Sequence, residues 1–136
     1  ESDVKILFDW ANDNMVRKNA LHSDPILWKK HMKWFKKKLD STETFIYILE
    51  TSNAKIGQVR IDSENGCWTI DYSISKEFRG KGYGKLMIML LLKKVVKKPL
   101  LALVKENNIP SQKVFEELEF KKSKNSKNDL IKYIYE

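Results

Sequence analysis

Cysteine, histidine and arginine are scarce in this chain of 136 residues. The few that occur are Cys67, His22, His31, Arg17, Arg60 and Arg79. A single cysteine excludes an intrachain disulfide framework, and so few sulfur and imidazole ligands argue against a zinc or other metal site. A lone thiol also fits a reducing compartment, so a cytoplasmic location is expected.

Long apolar runs are missing as well. The longest unbroken one is Leu86 to Leu92, far short of the ~20 residues that span a bilayer. No charged-then-apolar leader with a small-residue cleavage site opens the sequence. We therefore expect no membrane partner, and the length predicts a single domain over residues 1–136.

The charge is strongly positive, with 26 basic and 18 acidic residues and a net charge of +8. Almost all of the positive charge is lysine, whereas proteins that bind specific nucleic-acid sequences also depend on bidentate hydrogen bonds from arginine. We expect no nucleic-acid partner. The excess lysine indicates either general solubility or a polyanionic small ligand.

Apolar spacing predicts an α/β domain in which helices precede a three-stranded antiparallel meander. The predicted helices are Val4–Trp10, Met15–Ala20, a segment from Ser23-Asp24-Pro25 through Asp40, Lys85–Lys97 and Pro110–Leu118. The predicted strands are Thr44–Glu50, Lys55–Asp62, Cys67–Ser75, Leu100–Val104, Phe120 and Ile131–Tyr135. Pro99 is expected to end the fourth helix, and Lys121–Asp129 is expected to form a loop.

Three of the five glycines lie in one loop, Arg79-Gly80-Lys81-Gly82-Tyr83-Gly84, directly before the fourth predicted helix. The first N–H groups of a helix lack backbone partners and carry partial positive charge. Glycines let the backbone approach a ligand closely, and Arg79, Lys81 and Lys85 add full charges. The assembly suits a diphosphate, although the spacing fits neither a nucleotide-triphosphate loop nor a dinucleotide fingerprint. A plain tight turn is the alternative.

The loop resembles the phosphate loop of the GNAT N-acetyltransferase superfamily, Arg/Gln-x-x-Gly-x-Gly/Ala, at Arg79, Gly82 and Gly84. A second signature of that superfamily is matched by Asn108, Ser111, Phe115 and Phe120, with Glu119 in place of its glycine. The resemblance implies a mixed, mostly antiparallel central sheet flanked by helices, and acetyl-coenzyme A as cosubstrate. It places the diphosphate on residues 79–85, which are Arg79, Gly80, Lys81, Gly82, Tyr83, Gly84 and Lys85. It also places the pantetheine arm along the splayed strand that includes Ile74, with Asn108 on that arm and Ser111 near the phosphates.

The amino-terminal half is similar to one branch of this superfamily. Phe8-Asp9-Trp10-Ala11-Asn12-Asp13 and the segment from Ile26 to Phe35 resemble N-acetyltransferases of nucleotide-linked amino sugars in pseudaminic-type acid synthesis. The implied reaction is acetyl transfer to the amine of such a small acceptor. His31 and Arg60 are the candidate acceptor contacts. Helix packing for His31 and a surface charge for Arg60 are the alternatives.

The usual proton carriers of the superfamily are absent from their usual positions. Phe115 stands where a tyrosine often acts as acid, Leu103 where sugar-specific relatives have glutamate, and Thr69 where many members have glutamate. Asp71, on the polar side of its strand, is the candidate general base. Its alternative is an ordinary strand carboxylate, with solvent relaying the protons.

The family fold opens with a strand, but this sequence begins almost inside its first helix. We therefore expect a domain excised from a longer polypeptide, without the first strand. Two other functions remain open, a protein or peptide N-acetyltransferase and a non-catalytic acyl-coenzyme A-binding module. The sequence does not indicate an oligomeric state.

Overall fold

A computed structural model describes residues 3–125 and 129–136 of the chain. Three helices come first, and strands then alternate with two further helices. The helices are α1 (Val4–Ala11), α2 (Asn14–Asn19), α3 (Trp28–Leu39), α4 (Tyr83–Lys94) and α5 (Ile109–Glu117), with a 3₁₀ turn at Lys76–Phe78. The strands are β1 (Thr44–Glu50), β2 (Lys55–Glu64), β3 (Cys67–Ile74), β4 (Leu100–Lys105), β5 (Lys121–Asn125) and β6 (Leu130–Tyr135).

The six strands form one mixed sheet in the order β1-β2-β3-β4-β6-β5. All neighbours are antiparallel except β3 and β4, which are parallel. These two strands pair only at Trp68↔Leu100 and Thr69↔Leu101, so they diverge beyond Thr69. The divergence opens a gap in the middle of the sheet. The predicted α/β class and the β1–β2–β3 meander are confirmed.

Helices cover both faces of the sheet. On one face α4 and α5 enclose the main core, where Ile61, Ile88 and Leu100 are completely buried. On the other face Leu7 and Trp10 of α1 pack with Phe35 of α3 in a smaller cluster that also touches β1. Residues 68–74 of β3 alternate apolar and polar side chains, whereas residues 45–49 of β1 are apolar on both faces because each face packs against its own cluster. The gap between β3 and β4 therefore connects two separately packed layers.

The third helix begins later than the Ser23-Asp24-Pro25 signal predicts. Trp28 is its first residue, and residues 23–27 are not helical. The cause is a bidentate clamp, because the Asn12 side chain donates to the Ile26 carbonyl at 2.8 Å and accepts from its N–H at 2.7 Å. A backbone held through both polar groups by a side chain is not available for the first helical turn.

The fourth helix is also displaced from its prediction, Lys85–Lys97. It starts at Tyr83, since Gly82 already serves as its cap, and it ends at Lys94. The predicted stop at Pro99 is wrong because Val95 is already extended and packs into the core. Lys97 leaves the helix to place its ammonium group 4.7 Å from the Trp68 ring.

The predicted loop Lys121–Asp129 is wrong in its first part. Residues 121–125 form β5, which pairs with β6 through Lys121↔Ile134 to Asn125↔Leu130. Residues 126–128 of that prediction lie outside the described residues. The polar composition suggests a loop, but an edge strand needs apolar residues on no more than one face, and lysines are common at sheet edges.

Candidate active site

A cleft of about 1340 Å³ runs through the molecule along the gap between β3 and β4. Its walls come from the start of α4, the facing strands, the first turn of α5, and helices α1–α3 on the opposite side of the sheet. Of the predicted site residues, only Lys81 is not in the lining. The Lys81 ammonium group lies 5.8 Å from the Phe78 ring instead.

The amino end of α4 forms one end of the cleft. Gly80 and Gly82 have φ angles of +76° and +84°, values that favour glycine, and Gly82 caps the helix. An added Cβ at Gly82 would meet no atom within 4 Å, so the backbone faces open space. The N–H groups of the first turn lack intrahelical partners, and Lys85 adds a charge that Glu117 balances in part at 3.3 Å. This end is built to receive an anion.

Arg79 ties this loop to the α1–α2 turn. Its guanidinium donates to the Asp13 carboxylate at 2.7 Å and to the Ile74 carbonyl at 3.0 Å. Asp13 also accepts from the backbone N–H groups of Met15 and Val16, which caps α2. Burial alone would raise the pKa of Asp13, but the hydrogen bond and charge of Arg79, together with the hydrogen bonds from the Val16 and Met15 N–H groups, hold it below its usual value. Arg79 therefore holds the start of α4 against the amino-terminal helices.

Tyr72 stands beside the gap on the same side as α4 and α5. Its hydroxyl is 2.7 Å from Ser111 Oγ on α5, and its ring meets Phe115 edge-on at 5.9 Å between centroids. A Cβ at Gly84 would lie 3.4 Å from the Tyr72 ring, so the small residue at position 84 leaves room for the tyrosine. Asn108 caps α5 through Ser111 N–H at 3.4 Å.

Asp71 lies on the opposite side of the gap, as the strand alternation predicts. Its side chain is 56% exposed, and its Oδ2 accepts from Gln58 Nε2 at 3.3 Å. The same amide donates to Ser73 Oγ at 3.2 Å, so Gln58 fixes two residues of β3. The carboxylate is thus oriented and open to the cleft, and an acceptor amine can reach it. These are the geometric needs of a general base.

Arg60 of β2 lies opposite Asp71 of β3. Its Nη1 is 3.8 Å from Asp71 Oδ2, its Nε donates to Asp62 at 2.7 Å, and its guanidinium lies 5.0 Å from the Trp34 ring. Burial alone would raise the pKa of Asp62, but hydrogen bonds from Thr44, Lys38 and Arg60, together with the charge of Arg60, hold it below its usual value. Arg60 is therefore a fixed, charged wall of the cleft.

His31 is only 3% exposed although it borders the cleft. Its Nε2 lies 3.0 Å from the Val4 carbonyl, to which a protonated Nε2 donates. Four aromatic rings have centroids within 6.3 Å of its own: Phe8, Trp28, Trp34 and Phe35. Burial lowers the pKa of His31, so the neutral ring is favoured. Of the two roles predicted for His31, the structure favours helix packing between α1 and α3.

Two of the positions that depart from the family pattern, Phe115 and Leu103, also line the cleft. Phe115 is 1% exposed, and its ring stacks on Tyr133 at 5.6 Å. Leu103 lies on β4, one residue from the buried Ala102. Neither side chain carries a transferable proton. In the part of the chain that the structure describes, no three histidine, cysteine or acidic side chains gather into a possible metal site.

Comparison with known proteins decides the family. Residues 1–121 match the family of acetyltransferase (GNAT) domains. The chain belongs to the GNAT acetyltransferase family. As a GNAT domain it is an N-acetyltransferase domain of a family that uses acetyl-coenzyme A, the expected cosubstrate. Helix length and polarity give no candidate for a membrane-spanning segment among the described residues.

Two matches come from Methanocaldococcus jannaschii. The uncharacterized protein MJ1062 of Methanocaldococcus jannaschii is 29% identical over the full length of this chain, which spans 29% of that protein. A crystal structure of a domain from Methanocaldococcus jannaschii has a TM-score of 0.82 at 26% identity, with 99% of this chain and 92% of that one covered.

Two functionally described structures share the GNAT fold. One is spermidine N-acetyltransferase from Vibrio cholerae in complex with CoA and spermine, at TM-score 0.86 and 16% identity, covering 100% of this chain and 90% of the other. The other is ribosomal-protein-alanine N-acetyltransferase from Brucella melitensis, at TM-score 0.77 and 12% identity, covering 98% and 92%. At such identities the likeness concerns the fold, and the acceptor must be argued from this chain's own cleft.

Proposed function

We propose that this GNAT domain transfers acetyl to the amine of a nucleotide-linked amino sugar of the kind used in nonulosonic acid synthesis. The supporting observation is the charge of the cleft, since its lining has seven basic and two acidic side chains. The basic ones are Arg17, Lys18, Lys30, Arg60, Arg79, Lys85 and Lys113, and the acidic ones are Asp71 and Glu117. Such a lining favours anionic ligands at both ends.

The two ends would serve different anions. Gly80, Gly82 and Lys85 at the start of α4 suit the diphosphate of acetyl-coenzyme A, which supplies the activated acetyl group. Lys30 and Arg60 lie at the other end of the cleft, where a nucleotide diphosphate on the acceptor would meet them. A cationic polyamine would be repelled there, because the one carboxylate among the described lining residues on that side, Asp71, is already 3.8 Å from the Arg60 guanidinium.

The residues of this chain have separate tasks in the proposed reaction. Asp71 takes the proton of the acceptor ammonium, directly or through water, so that a neutral amine attacks the acetyl carbonyl. Gln58 holds that carboxylate in place. An unpaired backbone N–H on the β3 edge beyond Thr69 supplies a hydrogen bond to the carbonyl oxygen as negative charge develops there. Arg60 holds the anionic part of the acceptor.

Substrate specificity tests this proposal. Thiol release from acetyl-coenzyme A would be followed with a nucleotide-linked amino sugar, the same amino sugar without its nucleotide, spermidine, and a peptide with a free amino terminus. The nucleotide-linked sugar should have the highest kcat/KM, with at least a tenfold advantage over the bare sugar. A preference for spermidine or the peptide would overturn the acceptor assignment. Tight cofactor binding without turnover on any amine would favour a non-catalytic module.

A further inference from the structure

Tyr72 lies where it can act as a hydrogen-bond donor in the chemical step. The residue that often has this role in the superfamily is replaced in this chain. We propose that the Tyr72 hydroxyl donates a hydrogen bond to the sulfur of coenzyme A as the carbon–sulfur bond of the thioester breaks. Phe115 has no proton to offer at the position where a tyrosine is common in the superfamily. This inference rests on acetyl transfer through the β3–β4 gap and not on the identity of the acceptor.

The path of the cosubstrate brings the sulfur near Tyr72. The start of α4, where the phosphates would bind, lines the cleft on one face of the sheet, and Asp71, beside Arg60 and Trp34, lines it on the other. The arm between them must pass the gap that opens beyond Thr69 on β3. The thioester therefore lies beside the unpaired part of β3, where Asp71 and Tyr72 are consecutive.

Strand alternation then puts the two side chains on opposite sides of the reacting carbon. Asp71 faces the incoming amine, and Tyr72 faces α4 and α5, the side from which the arm enters. An amine that attacks from one side leaves the sulfur on the other, which is the side of the tyrosine hydroxyl. The hydroxyl is held beside the gap by Ser111 Oγ at 2.7 Å and by the neighbouring Phe115 ring.

The proton inventory of the step is balanced without a strong acid. The bond from nitrogen to the acetyl carbon forms, the carbon–sulfur bond breaks, and the electron pair stays on sulfur. The ammonium gives one proton to solvent through Asp71 before attack, and the nitrogen gives a second by the same route after its bond to carbon has formed. The thiolate then takes one proton from solvent, so each turnover releases one proton. Burial, and to a lesser degree the charge of Asp71, raises the pKa of Tyr72 above its ordinary value, so the hydroxyl remains protonated and able to donate.

The test measures the bound thiol itself, with Cys67→Ser as background so that coenzyme A supplies the single thiol. Ultraviolet absorbance of the thiolate is titrated against pH in the complex with free coenzyme A, and the complex with desulfo-coenzyme A is subtracted. We expect a thiol pKa at least about one unit lower with Tyr72 than with Tyr72→Phe, which is the tenfold stabilisation of a hydrogen bond to a charged group. Equal thiol pKa values in the two proteins would overturn the proposal.

Steady-state kinetics supplies the second readout. Tyr72→Phe keeps the ring that packs on Phe115, and it should lower kcat about 10- to 100-fold, as a lost charge-assisted hydrogen bond predicts, with an unchanged Kd for acetyl-coenzyme A. Tyr135→Phe, whose side chain is not part of the cleft lining, is the matched control and should change neither value. An unchanged kcat, or a loss confined to cofactor affinity, would contradict the role. The thiol titration remains decisive even if the acceptor assignment fails.

Discussion

Replacement of Gly82 by valine separates cofactor binding from folding. Gly82 has a φ angle of +84°, and Gly66 in the β2–β3 turn has almost the same value, +81°. A Cβ at either position meets no atom within 4 Å, so both substitutions introduce backbone strain without a clash. Gly82 lines the cleft and Gly66 does not. The variants Gly82→Val and Gly66→Val should therefore lose similar amounts of folding stability, and only Gly82→Val should also lose affinity for acetyl-coenzyme A.

The size of both effects follows from this geometry. A side-chain-bearing residue in the left-handed region costs about 1–2 kcal/mol, which lowers Tm by roughly 3 to 10 °C in a domain of this size. Only at position 82 would the new side chain also occupy the space in front of the α4 N–H groups. Loss of one or two charge-assisted hydrogen bonds to phosphate there should weaken acetyl-coenzyme A at least about 10- to 100-fold.

Calorimetric titration with acetyl-coenzyme A and thermal unfolding of the unliganded proteins measure the two effects separately. Gly66→Val should show the lower Tm with the affinity of the unaltered protein. Gly82→Val should show a similar Tm together with weakened binding. If Gly82→Val binds acetyl-coenzyme A normally, or if both variants lose affinity equally, the glycine loop does not form the phosphate site.

Three further changes test other parts of the site. Asp71→Asn should lower kcat about 100-fold and leave acetyl-coenzyme A affinity unchanged, and an unaltered kcat would show that Asp71 is not the base. Arg60→Ala should raise the acceptor KM about tenfold with little effect on cofactor binding, and an unchanged KM would remove Arg60 from the acceptor site. Because burial lowers the pKa of His31, its contribution to the unfolding free energy is present above about pH 6.5 and is lost as the pH falls below that value. Denaturant unfolding should give a lower free energy of unfolding at pH 5.5 than at pH 7.5. This pH dependence should become smaller in His31→Gln and stay unchanged in the control His22→Gln. An unchanged pH dependence in His31→Gln would contradict the explanation.

The elements carried by strong local patterns were predictable from the sequence. The alternation in β3 placed Asp71 and Ser73 on one side and Tyr72 on the other, and the glycine spacing located the start of α4 within two residues. The cleft itself was less accessible to sequence reasoning. The clamp of Asn12 on Ile26 joins residues that are 14 positions apart, so the late start of α3 is a tertiary effect.

Two functional residues were missed for similar reasons. The contact of Asp13 with Arg79 spans 66 positions, and the contact of Tyr72 with Ser111 spans 39. Local propensity carries no information about such pairs. The one available signal for Tyr72 was its place directly after Asp71 on a strand that the resemblance makes part of the site.

A crystal structure of the protein with acetyl-coenzyme A would show the path of the cosubstrate directly. We expect the diphosphate at the N–H groups of residues 80–85, the arm in the gap between β3 and β4, and the thioester beside Asp71 and Tyr72 with the sulfur on the tyrosine side. A diphosphate held elsewhere, or an arm that does not enter the gap, would contradict this expectation.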